Sequence, residues 1–129
     1  MSEKFTIEII TPIKSILKTE TTEVTIPSYE GQMGILRNHI PLITFLRPGL
    51  IVIKNKEKIK YYVEEGTVEF SNNNLLILTS TATNIKNLTK TKIDEFITVS
   101  QKKLKENNSS DKEKYILSYK INTLKEINQ

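Results

Sequence analysis

The stretch from Leu50 to Thr79, LIVIKNKEKIKYYVEEGTVEFSNNNLLILT, decides how this chain folds. Leu50-Ile51-Val52-Ile53 is a continuous, mostly β-branched apolar run. It reads as a strand buried on both faces, or as a buried edge of a sandwich. Asn55-Lys56-Glu57-Lys58 is a polar turn, and Ile59 to Val63 pairs back as a hairpin. Val68 and Phe70 alternate with Glu69, a period of two. Asn72-Asn73-Asn74 is a turn, because asparagine tolerates the left-handed backbone region, and Leu75 to Thr79 closes the second hairpin. Working outward, Phe5, Ile7 and Ile9 alternate with Thr6 and Glu8 until Thr11-Pro12 breaks the run. Val24 and Ile26 alternate with Glu23 and Thr25, and Pro27 ends that segment. Short strands with closely spaced turns predict an N-terminal antiparallel β-sandwich over residues 1–85.

After Asn87 the period changes. Ile93, Phe96, Ile97 and Leu104 share one helical face. Thr91, with Asp94 three residues on, gives a capping pattern, and the helix ends near Glu106. Asn107-Asn108-Ser109-Ser110 is a polar break, after which Ser110 or Asp111 caps a second helix running toward Ile127. Leu117, Ile121 and Leu124 form its apolar stripe. Residues 86–129 therefore predict a two-helix antiparallel hairpin. Each helix is short and thinly apolar, so it depends on tertiary contacts.

Composition removes several classes of function. No cysteine is present, so disulfides and thiolate metal sites are out, and a single histidine rules out a multi-histidine metal site. No apolar run approaches the roughly 20 residues a membrane helix needs. Met1 to Phe5 carries a charged pair rather than the apolar core of a signal peptide. With no export signal in view, the glycosylation patterns at Asn87 and Asn108 read as chance. The net charge is +4, supplied almost wholly by lysines scattered among glutamates. That dispersion argues against nucleic acid, which calls for clustered cations with stacking aromatics. From Lys90 onward nine lysines face six acidic residues, net +3, whereas residues 1–86 carry ten basic and nine acidic groups, net +1. The hairpin thus holds most of the positive bias, a basis for engaging an acidic partner.

Conformational punctuation concentrates between Glu30 and Gly49. That segment holds three of the four glycines, two of the four prolines, both arginines and the only histidine. Such a concentration points to a shaped surface. Gly31 and Gly34 read as bracketing a tight exposed loop, with His39 beside it. The ordered pattern Gly31-Gln32-Met33-Gly34-Ile35, His39-Ile40-Pro41-Leu42, Thr44 and Arg47-Pro48-Gly49 resembles the epsilon subunits of bacterial F-type ATP synthases, called delta in mitochondria. Weaker similarity runs through Val68 to Asn73 and Thr81-Ala82.

The resemblance implies a rotor part rather than a catalyst. The sandwich would bind the gamma subunit along one face and rest on the c-ring of the membrane sector. The hairpin would lie folded, or extend toward the alpha/beta catalytic ring and inhibit ATP hydrolysis. It implies Gln32, Met33 and His39 as ring contacts, Thr44 and the strand near Glu64 as gamma contacts, and Lys102, Lys103, Lys105, Lys112 and Lys114 as the hairpin's regulatory charges. It places the protein at the periphery of a membrane, on the cytoplasmic face in a bacterium. Departures are visible too. Position 32, commonly acidic in the family, is glutamine. Glu64-Glu65-Gly66 stands where a small residue and two glycines are usual, and Glu65 cannot copy a glycine's positive φ cheaply. Ile93-Asp94 keeps half of an ATP-binding motif whose arginine is missing, so no cofactor is expected.

The residues themselves offer no enzyme. There is no G-x-x-x-x-G-K-[ST] and no G-x-G-x-x-G phosphate loop. His39 has no assignable orienting carboxylate, and Glu64 and Glu65, adjacent on a strand, would face opposite ways. The competing reading is a free-standing binding module for a carbohydrate, peptide or protein. Tyr29, Tyr61, Tyr62, Tyr115 and Tyr119 are split between the two halves, which argues against an aromatic platform.

Overall fold

The computed structural model describes residues 3–106 and 110–127. It divides into two compact units, Met1–Asn84 and Ile85–Gln129. Ten strands build the first: β1 (Phe5–Ile10), β2 (Ser15–Thr21), β3 (Glu23–Ser28), β4 (Gly31–Leu36), β5 (Leu42–Leu46), β6 (Gly49–Lys54), β7 (Lys58–Val63), β8 (Gly66–Ser71), β9 (Asn74–Leu78) and β10 (Ala82–Asn84). Their hydrogen-bonded order is β10-β7-β6-β3-β5-β8-β9-β1-β2, with β4 on the other edge of β3. β3 joins the two layers of the sandwich. Its first residues pair with β6, and its last, Ser28, pairs with Leu46 of β5.

Both hairpins read from Leu50 to Thr79 form. β6 pairs with β7 and β8 with β9, and Asn72 and Asn73 turn the second at φ 50° and 59°. Two consecutive left-handed residues make the turn whose twist matches the flanking strands. The Leu50–Ile53 run is not buried on both faces. Ile51 and Ile53 are inside, while Leu50 and Val52 are half-buried. Pro27 does not end β3, which continues through Ser28. Its missing donor falls where β3's partner changes from β6, last matched at Thr25, to β5 at Ser28, so no ladder bond is lost.

Four strands carry no clean alternation in sequence: β2, β4, β5 and β10. One pairing is also parallel, β1 beside β9, within an otherwise antiparallel arrangement. It joins segments some seventy positions apart, which local pattern cannot reveal.

The core is aliphatic, as the composition suggested. Ile7, Ile9, Val24, Ile26, Ile35, Ile51, Ile53, Val63, Val68 and Ile77 are fully excluded from solvent. Phe5 meets Phe70 edge to face at 5.6 Å. Each such side chain stabilises the fold by about 1.5–3 kcal/mol. Gly49 is fixed by crowding, since a Cβ there would collide with the Pro27 ring. Gly66, at φ 153°, is fixed the same way, because a Cβ would lie 2.5 Å from the Leu78 carbonyl.

The second unit holds a short 3-10 turn (Ile85–Asn87), α1 (Lys90–Leu104) and α2 (Asp111–Ile127), which pack on each other. The α1 cap is Thr89, not Thr91. Its side chain accepts from the Lys92 N–H, and Thr91 lies inside the helix. Ser110 caps α2, accepting from the Glu113 N–H at 3.1 Å. The break at Asn107, Asn108 and Ser109 lies outside the described residues.

Candidate functional site

The segment singled out by its glycines and prolines forms β4, a turn, β5 and the entry to β6. Gly31 and Gly34 do not bracket a loop. They are part of β4, paired with β3 along its whole length, and the turn before it is Tyr29-Glu30. Ser28 supports that turn, donating to the Gly31 carbonyl at 2.7 Å and accepting from the Glu30 N–H at 3.2 Å.

Strand alternation separates the expected contacts. Gln32 is exposed, whereas Met33 is half-buried and packs on the core. His39 lies in the turn that follows Leu36, the last residue of β4, which stands about 13 Å along the strand from Gln32. The three therefore string along an edge rather than gather at one tip. His39 is held by its own N–H donating to the Leu36 carbonyl at 3.1 Å, and its ring meets Phe70 edge-on at 6.0 Å. Beside it Asn38, at φ 65°, is clasped to Asn73: the Asn38 N–H donates to Asn73 Oδ1 at 2.7 Å, and Asn73 Nδ2 donates back to Asn38 Oδ1 at 3.1 Å. This clasp ties the β4–β5 turn to the β8–β9 turn.

Thr44 lies on the inward face of β5 and is 7% exposed. Its neighbours Ile43 and Phe45 face outward, 75% and 59% exposed. Across the ladder Phe45 stands opposite Thr67 and Thr67 opposite Leu78, which is 45% exposed. The next row places Ile43 by Glu69 and Leu76. The outer face of β5, β8 and β9 is thus an apolar patch interrupted by Thr67 and Glu69. Sequence reading missed it, although Leu42 to Leu46 is too apolar for a strand with one solvated face. Patches of this kind mark docking surfaces.

Glu64 sits in the β7–β8 turn, at the opposite end of the sandwich from His39. It accepts from the Tyr62 hydroxyl at 3.2 Å. Burial, and then the negative charge and hydrogen bond of Glu64, hold Tyr62 protonated far above the usual tyrosine range. Glu65 needs no positive φ, because the unusual backbone angle falls on Gly66. Its carboxylate instead receives both the Ser80 N–H, at 3.0 Å, and the Ser80 hydroxyl, and its carbonyl accepts from Thr79 Oγ1 at 2.6 Å. A departure from the expected glycine thereby becomes a brace between two turns.

In the hairpin, Lys102, Lys103, Lys105, Lys112 and Lys114 are all exposed, flanking the end where α1 gives way to α2. The surface cleft lined by Lys4, Thr19, Glu20, Lys54, Lys56 and Glu57 mixes both charges. Among the described residues no group of three or more His, Cys, Asp or Glu could hold a metal ion, and no helix is long and apolar enough to cross a membrane.

Fold and surface define the class: a β-sandwich followed by a helical hairpin, whose conspicuous feature is an apolar sheet face. The sequence pattern of the ATP synthase Delta/Epsilon chain beta-sandwich domain matches residues 4–85. An ATP synthase epsilon chain of Pelagibacter ubique is 49% identical over 130 residues, covering 99% of this chain and all of that one. One from Rickettsia bellii is 33% identical over 108 residues, covering 81% of this chain and all of the relative. The chain belongs to the delta/epsilon family of ATP synthase subunits. The same fold occurs in a cryo-EM structure of Euglena gracilis mitochondrial ATP synthase (OSCP, F1 and c-ring), with a TM-score of 0.84 and 18% identity, covering 100% of this chain and 84% of that one. It recurs in the central stalk and c-ring structure from Tetrahymena thermophila, with a TM-score of 0.65 and 14% identity over 96% of each chain.

Proposed function

We propose that this chain is a central-stalk subunit of an F-type ATP synthase, coupling the c-ring to the gamma subunit during rotary ATP synthesis and catalysing nothing itself. The observation that carries this is its end-to-end likeness to a curated epsilon chain. The apolar face of Ile43, Phe45 and Leu78 suits it for gamma. Thr44 contributes from behind that face by setting the strand, and Glu64 marks its far end. Gln32, Met33 and His39 line the side assigned to the ring. The sandwich, residues 1–85, is the coupling part, and the hairpin, residues 86–129, is the regulatory part. Lys102, Lys103, Lys105, Lys112 and Lys114 meet acidic surface on the alpha/beta ring. In a bacterium the complex holds the chain at the cytoplasmic face of the inner membrane.

Co-purification tests the coupling role. The full chain should co-elute with gamma and c-ring, and Phe45→Asp with Ile43→Asp should abolish gamma binding while leaving the sandwich folded. Binding unchanged by those two charges would overturn the assignment of that face. Removing residues 90–129 should leave assembly intact and raise ATP hydrolysis. Equal hydrolysis with and without them would remove the regulatory role alone. ATP should not bind the hairpin, since Asp94 lacks its arginine companion, and isothermal titration showing micromolar binding would reverse that.

A further inference from the structure

The two helices bury few side chains, and one of those few is polar. Ile93 and Ser100 are the buried residues of α1. They stand seven positions apart, two turns along one face. Between them Phe96 is half-buried, and Lys120 Nζ of α2 lies 5.8 Å from the centre of its ring. Ser100 follows Phe96 by four residues, and half-buried Leu104 follows Ser100 by four, so all three lie on the side of α1 turned toward α2. Ser100 occupies a place in the apolar stripe and is 1% exposed.

The Ser100 hydroxyl has no hydrogen-bond partner among the described residues. A hydroxyl on a helix has a ready acceptor in the carbonyl four residues back. Two others in this unit use it. Thr98 donates to the Asp94 carbonyl at 2.9 Å, and Thr123 donates to the Tyr119 carbonyl at 2.7 Å. Ser100 makes no such bond to Phe96. A buried donor left unpaired costs the free energy of its lost hydration, and such groups are rare in folded chains. In water the same hydroxyl is paired. The penalty therefore falls on the closed helix pair and disappears when α1 and α2 separate. Close packing of the helices does not call for the hydroxyl, because alanine would permit the same approach and is the better helix former.

We propose that Ser100 is a built-in weak point of the α1–α2 seam: its unpaired hydroxyl lowers the stability of the closed pair, so that the helices part while the sandwich stays folded. The sandwich has its own cluster of fifteen buried side chains and does not depend on that seam. The proposal goes beyond the regulatory reading of the hairpin. It concerns how tightly the two helices hold each other, whatever surface they meet. Its test is read on the free chain, so either idea can fail without the other.

Residue-resolved amide hydrogen exchange on the full chain tests the proposal, because it reads the opening of each unit separately. In Ser100→Ala the amides of α1 and α2 should exchange about tenfold more slowly than in the native chain. Those of β6, in the middle of the sandwich, should be unchanged. Alanine also favours a helix by itself. Ser118→Ala, at an exposed position of α2, measures that gain alone and should slow exchange only about twofold. Ser100→Cys nearly keeps the side chain's volume, gains no helix propensity and replaces the hydroxyl by a weak donor, so it should slow exchange as well. Equal slowing by Ser100→Ala and Ser118→Ala overturns the proposal, since propensity then accounts for all of it. Faster exchange in both Ser100 variants overturns it too, because the hydroxyl would then be holding the helices together. Slowing that reaches the β6 amides to the same degree shows that the units open as one, and also overturns it.

Discussion

The sandwich and the hairpin hold themselves together in different ways. Fifteen buried side chains form one continuous cluster in the sandwich. The hairpin buries only Ile93, Ile121 and Leu124 among its described apolar residues, together with Ser100 and Thr123. The sandwich has strand ladders reaching across the whole unit. The hairpin has local helical bonds and two hydroxyl caps, Thr89 and Ser110. A unit with few buried contacts opens at low free energy, and such units supply the moving parts of assemblies. The contrast teaches that a deep aliphatic core holds the sandwich's surface fixed, whereas the hairpin rests on a few buried side chains and its caps.

The sharpest way to break this contrast is Phe70→Ala. It removes a ring that packs on Phe5 and supports His39, and should cost the sandwich about 3–5 kcal/mol in urea unfolding followed by strand signals. A smaller loss would show that the core relaxes more freely than its packing implies. Gly49→Ala should cost about 1–3 kcal/mol, because the added methyl must push the Pro27 ring aside. Unchanged stability there would mean that the entry to β6 shifts at no cost. In the hairpin, Ser110→Ala should remove about 1 kcal/mol from α2 by stripping its cap. Helical circular dichroism should fall at lower denaturant while the sandwich transition stays put, and movement of both together would erase the distinction between the units.

The gentlest test concerns pH. Tyr62 has its proton affinity raised on folding, by burial first and by Glu64 second. Its contribution is therefore complete below the ordinary tyrosine pKa of about 10 and is lost as pH climbs beyond it. Stability measured from pH 8 to 11 should decline at the alkaline end, and Tyr62→Phe should flatten that decline. An identical slope in the variant would place the alkaline sensitivity elsewhere.

Much of the candidate site could be read from residue types. The asparagine turn at Asn72-Asn73 was legible because asparagine enters the left-handed region cheaply. Ser110 was legible as a cap because it precedes a helical stripe. β4 and β5 were harder. Glycines in Gly31-Gln32-Met33-Gly34 look like a loop until β3 is seen to pair with every residue. Leu42 to Leu46 shows no alternation, because both of its faces are apolar. The Asn38–Asn73 clasp and the Glu65–Ser80 brace join residues far apart in the chain. No spacing rule announces the clasp, since it forms only after two separate turns have met, whereas the brace continues the register of the β8–β9 hairpin.

By itself the sequence determined six of the ten strands, both helices and the order in which these follow one another, because period, turn chemistry and capping are local and act on neighbouring residues. It also determined what chemistry is missing, since residue types cannot be supplied by folding. Only the tertiary structure decided that β1 lies parallel to β9, that Ile43 and Phe45 face outward while Thr44 faces in, and that β4 is left with an open edge. Those outcomes depend on which strands meet across long stretches of chain, and pairing between distant segments is fixed by the packing of the whole core.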